Sequence, residues 1–437
     1  MRGPQRVAGP LMRELTKGPI LGHVLSMALF IGISQLFQTL YFLVDLYLVS
    51  RLGSAAVAGV SAAGNVFFVA LAASQMISIG VLALVAQAMG RKDDASANLF
   101  SDQALLMGLI AGAGMLALGY GFGGLWVDAL TADAASAAEA RAFLYGYLPS
   151  LALLFPTMAL LSSLRAAGVV QPTMILQTGT VLLNVALAPV LIVGWGTGAP
   201  LGAFGAGLAS SIASAVGFAA LIWMYPRVQS ALRVHWATLK PRWDAWRRIA
   251  FIGFPTSLEF LMMFVVFAVI YWVIRDFGAE AQAGFGIGGR IMQSIFLPAM
   301  AIAFAAAPIA GQNFGAGQHD RVRETFKVAA LIGAGIMAVL TILCHIAPEA
   351  MGRPFTDDPA VLAVAGEYLQ ITSWNFVAAG LVMTCASFFQ AMGDTRPSLF
   401  ASIVRMILFC GPALWLSGQD WMRLEHVWLL SVGSITL

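Results

Sequence analysis

Two acidic residues interrupt long apolar runs of the sequence, Asp45 in the first run and Glu259 in the seventh. If these runs cross a bilayer, an ionised carboxylate at that depth costs on the order of 2.5–3.5 kcal/mol, and residues kept there commonly bind a proton or a cation. A structural role beside a polar neighbour is the alternative for both. Asp45, six residues before Arg51, could also lie nearer the membrane surface. The chemistry indicated is proton or cation binding inside an apolar protein.

The first apolar run carries its polar residues at helical spacing. They follow steps of four, three and four residues, and such steps place side chains on one face of a helix. We expect this polar face to point to the protein interior and line a cavity. Its members are Ser34, Gln38, Tyr41 and Asp45.

A second polar stripe lies in the fifth run, where Gln177, Thr180 and Asn184 follow steps of three and four. Thr180 could simply hydrogen-bond to its own helix backbone. The Asn184 amide stands among apolar neighbours and needs a partner away from water. Two interpretations stay open for it, a binding site and a polar contact between helices.

Methionine and phenylalanine are plentiful in the seventh and eighth runs. Met262 and Phe296 are the members of this group that we take as candidates. Methionine-rich surfaces suit the binding of varied ligands, because their side chains repack around different shapes. These two residues are therefore candidates for the wall of a pliable substrate cavity. Packing in the apolar core is the simpler interpretation.

Membrane-spanning helices would position these residues. The chain has 437 residues, of which 59% are hydrophobic and 10% charged, whereas soluble domains have about 25% charged residues. Apolar runs recur at 20–50, 57–87, 99–124, 141–165, 172–194, 201–225, 249–275, 284–311, 324–347, 363–391, 397–417 and from about 426. We predict an all-α integral membrane protein with about 12 transmembrane helices. The final run stops at Leu437, too short to span, so we expect the last helix to be incomplete.

The sequence also repeats itself in a register of 225 positions, in which Glu259 falls at the place of Ser34. Six helices in each half is an even number, which predicts parallel repeats forming two pseudo-symmetric six-helix bundles. We expect an N-terminal lobe at 1–225, a cytoplasmic basic linker at 226–248 and a C-terminal lobe at 249–437. The repeated residues are Gly53, Ala56, Ala58, Gly59, Gly64, Gln87 and Gly90, which recur as Gly278, Ala281, Ala283, Gly284, Gly289, Gln312 and Gly315.

The basic residues favour one side of the membrane. Most of the 24 Lys and Arg residues fall on the side of the N-terminus, including the 227–248 stretch, which predicts a cytoplasmic N-terminus. This topology explains the basic stretch without requiring that it bind nucleic acid. The sequence offers no phosphate-binding loop, no metal-ligand spacing and no catalytic constellation. We expect neither an enzyme nor a bound metal or cofactor.

Several motifs together resemble the multidrug and toxic compound extrusion (MATE) family. The segment from Gln38 to Asp45, followed by Arg51-Leu-Gly53, is similar to the family's opening. Gln312-Asn-Phe-Gly and the run from Gln390 to Pro397 are similar to its second-half loops. The resemblance implies a two-lobed inner-membrane exporter that exchanges H⁺ or Na⁺ for hydrophobic or cationic small molecules, and for which a monomer suffices. A lipid-linked oligosaccharide flippase, or a flippase for another lipid, of the same superfamily is the alternative.

The resemblance also implies roles for particular residues. Asp45 matches the family's cation-coupling carboxylate, and Gln38 and Asn184 match its polar partners. The DinF-like branch, which the chain resembles more than NorM-like members, usually has an Asp where Ala188 stands here. The choice between H⁺ and Na⁺ therefore stays open. Glu259 is a contact for cationic substrates or a second coupling site.

Overall fold

The structure is a computed structural model that describes residues 14–131, 133–196, 198–228, 232–235, 239–356 and 358–436, without the side chains at 41–43, 45, 46 and 228. This part of the chain is helical, with no β-strand. Its fourteen α-helices are α1 (Ile20–Ser50), α2 (Ser54–Gly90), α3 (Asp94–Leu130), α4 (Ala134–Ala166), α5 (Gln171–Ile192), α6 (Gly202–Val228), α7 (Trp243–Ile274), α8 (Ala279–Gly315), α9 (His319–Ile346), α10 (Pro348–Gly352), α11 (Pro359–Ser373), α12 (Phe376–Met392), α13 (Arg396–Leu416) and α14 (Leu424–Thr436).

Ten of the described helices are long and apolar enough to cross a membrane, and the bent pair of α11 and α12 brings the number to eleven if it is counted as one span. The helix α14 has 13 residues and is too short to cross alone. The predicted all-α membrane architecture is confirmed.

The run 363–391, predicted as one helix, is broken at its centre. The helices α11 and α12 meet there at a bend of 59°. Asn375 lies in the break and is 3% exposed. Its Nδ2 donates to the Ser431 carbonyl at 3.2 Å, and its Oδ1 accepts from Thr436 Oγ1 at 3.2 Å. The bend is thus stabilised by hydrogen bonds to α14.

The chain forms two compact units. The first comprises Met1–Gly18, Ile33–Ser257 and Gly311–Gln318, and the second comprises Pro19–Gly32, Leu258–Ala310 and His319–Leu437. The boundaries pass through α1, α7 and α8, so each of these helices contributes residues to both units.

The duplication is visible in the backbone at the starts of α2 and α8. Gly53 precedes α2 with φ +108°, and its repeat partner Gly278 precedes α8 with φ +94°. Glycine adopts positive φ without the steric cost that a Cβ brings. The same turn therefore begins the corresponding helix of each repeat.

Side-chain caps define the starts of α3 and α4. The Asp93 carboxylate accepts from the Ser96 N–H at 3.0 Å, and Asp133 accepts from the Ser136 N–H at 2.8 Å. Hydrogen bonds from the side chain and backbone of Ser96 lower the pKa of Asp93, and those from the backbone and side chain of Ser136 lower the pKa of Asp133. Because each folded pKa is depressed, the caps stabilise the helices at neutral pH and lose this effect on acidification.

Polar side chains of α3 hold the connection between α6 and α7. Asn98 Oδ1 accepts from the backbone N–H of Arg233 at 2.7 Å. The Asp102 carboxylate lies 3.0 Å from the His235 ring nitrogen Nδ1. Asp102 is only 9% exposed, so a buried carboxylate of the helix holds the chain that passes over it.

Gln103, one residue further along α3, makes two more bonds to the same connection and one to the first turn of α7. Its Nε2 donates to the Lys240 carbonyl at 2.9 Å. Its Oε1 accepts from the Arg242 N–H at 2.8 Å and from the Trp246 indole N–H at 2.8 Å. We refer to Asn98, Asp102 and Gln103 as the linker clasp.

Replacing Gln103 by alanine should release the connection for proteolysis, because the three bonds to Lys240, Arg242 and Trp246 are lost together. We expect trypsin to cut faster after Arg242 in the detergent-solubilised protein, as followed by fragment appearance on gels; Lys240 precedes Pro241 and is not a trypsin site. The matched control is Gln171→Ala, an exposed glutamine at the start of α5. Equal cutting rates in both variants would show that Gln103 does not restrain this segment.

Candidate functional site

The first unit contains a cavity of about 190 Å³ between α1, α2, α4, α5 and α6. Its apolar walls include Phe67, Met158 and Phe218. Among the described residues, no charged side chain lines it. Its polar lining is Ser34, Gln38, Tyr147, Ser150, Thr157, Gln177, Thr180, Asn184, Ser210 and Ser214.

The two polar stripes of the sequence meet in this cavity. Ser34 and Gln38 enter from α1, and Gln177, Thr180 and Asn184 enter from α5. Ser34 Oγ donates to Gln177 Oε1, which joins the two stripes directly. Helical spacing had placed each stripe on one face, and the structure brings the two faces together.

Asn184 is both part of the cavity lining and a contact between helices. It is 4% exposed, and its Nδ2 donates to Ser210 Oγ on α6 at 3.1 Å. Thr180 Oγ1 donates to the Leu176 carbonyl of its own helix at 3.0 Å, as one interpretation of the sequence expected. The two interpretations of Asn184 are therefore compatible, because the residue that lines the cavity also fixes α6 beside α5.

Serines on α4 and α6 supply a part of the site that sequence reasoning missed. Ser150 Oγ lies 2.7 Å from Ser214 Oγ, and the Ser150 N–H donates to Ser211 Oγ at 3.1 Å. Ser211 Oγ in turn donates to the Gly146 carbonyl at 2.6 Å. The signal in the sequence is the spacing of Ser210 and Ser214, four residues apart on one helix face.

The remaining predicted residues lie elsewhere. The side chains of Tyr41 and Asp45 are outside the described residues, although α1 is helical at both positions. Glu259, Met262 and Phe296 belong to the second unit. Met262 is 8% exposed, and the Phe296 ring packs against the Phe376 ring with a centroid distance of 5.4 Å, as expected for core residues.

Glu259 is a half-buried residue of the second unit. Its Oε1 is buried and has no hydrogen-bond partner within the described part of the chain. A carboxyl group with one oxygen buried and unbonded is a place where a proton or a cation can bind.

Comparison with known proteins agrees with this architecture. The family model described as MatE matches the chain at residues 31–190 and 255–413, once in each half. The duplicated membrane helices and the polar cavity define a membrane transporter, and the chain belongs to the MatE family of multidrug and toxic compound extrusion transporters. This is not a family of enzymes.

Two curated relatives extend over nearly the whole chain. The protein described as "Probable multidrug resistance protein NorM" of Bradyrhizobium diazoefficiens is 26% identical, with 94% of this chain and 90% of the relative covered. The multidrug export protein MepA of Staphylococcus aureus is 24% identical, with 93% and 91% covered. Both are described as multidrug proteins.

Solved structures share the fold. A MOP superfamily transporter from Pyrococcus furiosus superposes with a TM-score of 0.88 at 20% identity, over 97% of this chain and 94% of that one. A mutant of the Vibrio cholerae MATE transporter VcmN superposes with a TM-score of 0.88 at 21% identity, over 97% and 95%.

Replacing Asn184 by alanine should lower export several-fold, since it removes a polar group from the cavity and the bond that fixes Ser210. Initial efflux rates at equal protein density would measure this. The matched control is Thr173→Val, because Thr173 is a buried residue of the same helix whose hydroxyl bonds to the backbone of its own segment. A rate equal to that of the control would contradict a role for Asn184 in the site.

Proposed function

We propose that this protein is a secondary active exporter of the inner membrane that expels hydrophobic or cationic small molecules in exchange for inward H⁺ or Na⁺. The observation that carries the proposal is the cavity of the first unit, where the polar faces of α1 and α5 meet. In a membrane protein of this family, the simplest function for a polar cavity is to bind a substrate during transport. Alternating exposure of the cavity to the two sides of the membrane is part of the proposal.

The lining of the cavity supports a broad choice of substrates. Phe67, Met158 and Phe218 offer apolar surface that can adapt to different shapes. The hydroxyl and amide groups around them can orient a ligand by hydrogen bonds, whatever the charge of that ligand. At about 190 Å³, the cavity lies below the roughly 300–1,000 Å³ of typical ligand pockets. It would therefore hold a small molecule or one end of a drug-sized one.

Coupling to an ion is assigned to Asp45. Its position continues the face of α1 that carries Ser34 and Gln38 into the cavity. In this scheme Asp45 binds H⁺ or Na⁺ on one side of the membrane and releases it on the other, with Gln38 and Asn184 as polar partners. Tyr41 shares the same helix face and is a further substrate contact. Ion entry would supply about 2.3 kcal/mol per charge per 100 mV.

The proposal also covers Glu259, the orientation of the chain in the membrane and its branch within the family. Glu259 is a contact for cationic substrates, because one oxygen of its half-buried carboxyl group is buried and has no hydrogen-bond partner among the described residues. The uneven distribution of Lys and Arg supports a cytoplasmic N-terminus. We place the chain nearer the DinF-like branch and expect it to work as a monomer, with the lobes at 1–225 and 249–437 joined by the basic linker.

The test is ethidium transport by purified protein in liposomes, with an imposed pH or Na⁺ gradient and with each ion varied alone. We expect movement against the ethidium gradient with one of the two ions, which would also identify that ion. Folded protein that moves no ethidium or other cationic dye with either gradient would contradict the proposal. Lipid-linked oligosaccharides and other lipids would then be the substrates to test.

A further inference from the structure

The ends of α2 and α8 cross with no side chain between them, at a site that lies within the first unit. A Cβ added at Gly90 would overlap the main-chain carbonyl of Gln312, and a Cβ added at Gly315 would overlap that of Gln87. Backbone meets backbone on both sides of the contact. Even one methyl group on either glycine would force the two helices apart.

The crossing is reciprocal under the sequence repeat. Gln87 and Gly90 are the counterparts of Gln312 and Gly315 in the register of 225 positions. Each glycine contacts the glutamine carbonyl that belongs to the other repeat. Such a self-complementary contact is the internal equivalent of a twofold interface between subunits. The duplication thus built one contact from two copies of the same short segment.

Two buried amide side chains fasten this crossing to its surroundings. Gln312 Nε2 donates to the Ala166 carbonyl at the end of α4, at 2.7 Å. Asn313 Nδ2 donates to the Leu15 carbonyl, in the segment before α1, at 3.1 Å. Gln312 is 5% exposed, and Asn313 and Leu15 are fully buried. The last turn of α8 therefore holds three other segments of the first unit together.

We propose that this crossing is the cytoplasmic gate of the transporter, closed in this structure and open when the cavity faces the cytoplasm. The inference rests on the proposed function, which supplies the alternating access and the orientation. Arg91 and Lys92 directly follow α2, which places this end at the cytoplasmic surface. Because the closest contacts at the two glycines are between backbones, α2 and α8 can separate and rejoin there, and two amide hydrogen bonds hold the end of α8 to α4 and to the segment before α1.

The gate can be tested with two alanine variants and a matched pair of controls on the same two helices. Gly90→Ala and Gly315→Ala should each favour the open gate. The controls are Gly64→Ala and Gly289→Ala, another repeat-related pair, at which an added Cβ meets nothing within 4 Å. All four changes add one methyl group to α2 or α8, and only two of them add it at the crossing.

The readout is labelling of a single cysteine in the cavity, Ser214→Cys, by a membrane-impermeant maleimide. The native residues Cys344, Cys385 and Cys410 are replaced by alanine. In everted vesicles, which expose the cytoplasmic face, we expect Gly90→Ala and Gly315→Ala to label roughly ten-fold faster than the controls, the effect of a modest shift in a two-state equilibrium. Rates equal to the controls, or faster labelling only in right-side-out vesicles, would overturn the gate.

The labelling result is independent of substrate transport, so it separates this proposal from the proposed function. Ethidium export by the unmodified protein tests the function, and the labelling rates of the Ser214→Cys background test the gate. If a glycine variant fails to fold, as judged by size exclusion, Asn313→Ala replaces it because it removes the Leu15 bond without adding volume. Faster labelling of Asn313→Ala would support the gate, and an unchanged rate would overturn it.

Discussion

Replacement of Asp45 by asparagine is expected to reduce export driven by a pH or Na⁺ gradient at least about ten-fold, with the protein still folded. Asparagine matches aspartate in size but neither titrates nor offers a negative charge to a cation. Without a group that is loaded on one side and unloaded on the other, ion entry and substrate exit are no longer linked. Initial rates of ethidium export from vesicles, normalised to protein, would measure the loss.

The control for this experiment is Asp276→Asn. Asp276 is an exposed carboxylate that pairs with Arg275 at the end of α7, and its neutralisation changes the net charge by the same amount. We expect export at the rate of the unmodified protein. If Asp45→Asn also exported ethidium against its gradient at that rate, coupling would have to be assigned to another group, of which Glu259 is the first to test.

A second large effect is expected from Gly253→Ala, this time on stability. Gly253 of α7 lies against Met76 of α2 so closely that an added Cβ would overlap the Met76 carbonyl. The contact is reciprocal, since a Cβ at Gly80 would overlap the Ile249 carbonyl. Overpacking of this kind costs on the order of 1–3 kcal/mol, and here the obstructing atoms belong to a backbone that cannot rotate away. A lower thermal transition of the detergent-solubilised protein would report the loss.

Gly80→Ala should destabilise the protein to a similar degree, because it opens the same contact from the other side. Gly64→Ala, in the same helix α2 but in open surroundings, should leave the transition unchanged or raise it slightly, since alanine favours helix over glycine. Equal transitions for Gly253→Ala and Gly64→Ala would show that α2 and α7 can separate freely at this position.

The sequence was sufficient for features that depend on one helix alone. Span positions follow from the length and hydrophobicity of each run, and the stripe of Gln177, Thr180 and Asn184 follows from spacing within α5. The register of the duplication identifies Gly90 and Gly315 as equivalent positions of the two repeats without any knowledge of their contact. Each of these inferences requires only the chain order and the geometry of a single helix.

Other features depend on which helices become neighbours, and periodicity carries no such information. The bond between Ser150 and Ser214 joins α4 to α6, and isolated serines in apolar helices usually bond to their own backbone. The break at Asn375 depends on hydrogen bonds to α14, more than fifty residues away. The Trp246 indole of α7 donates to Gln103 of α3, a contact that joins two helices far apart in the sequence.

The linker clasp has a consequence for how the two halves of the molecule came to differ. At the repeat counterparts of Asn98, Asp102 and Gln103 the second half carries Arg323, Lys327 and Val328. In the first half, Asn98, Asp102 and Gln103 hold the chain that leads into the second half. The corresponding positions of the second half carry no comparable set of polar side chains. The two halves therefore differ at the positions that hold the junction between them. A tandem copy of the second half alone would lack the means to secure its own connection.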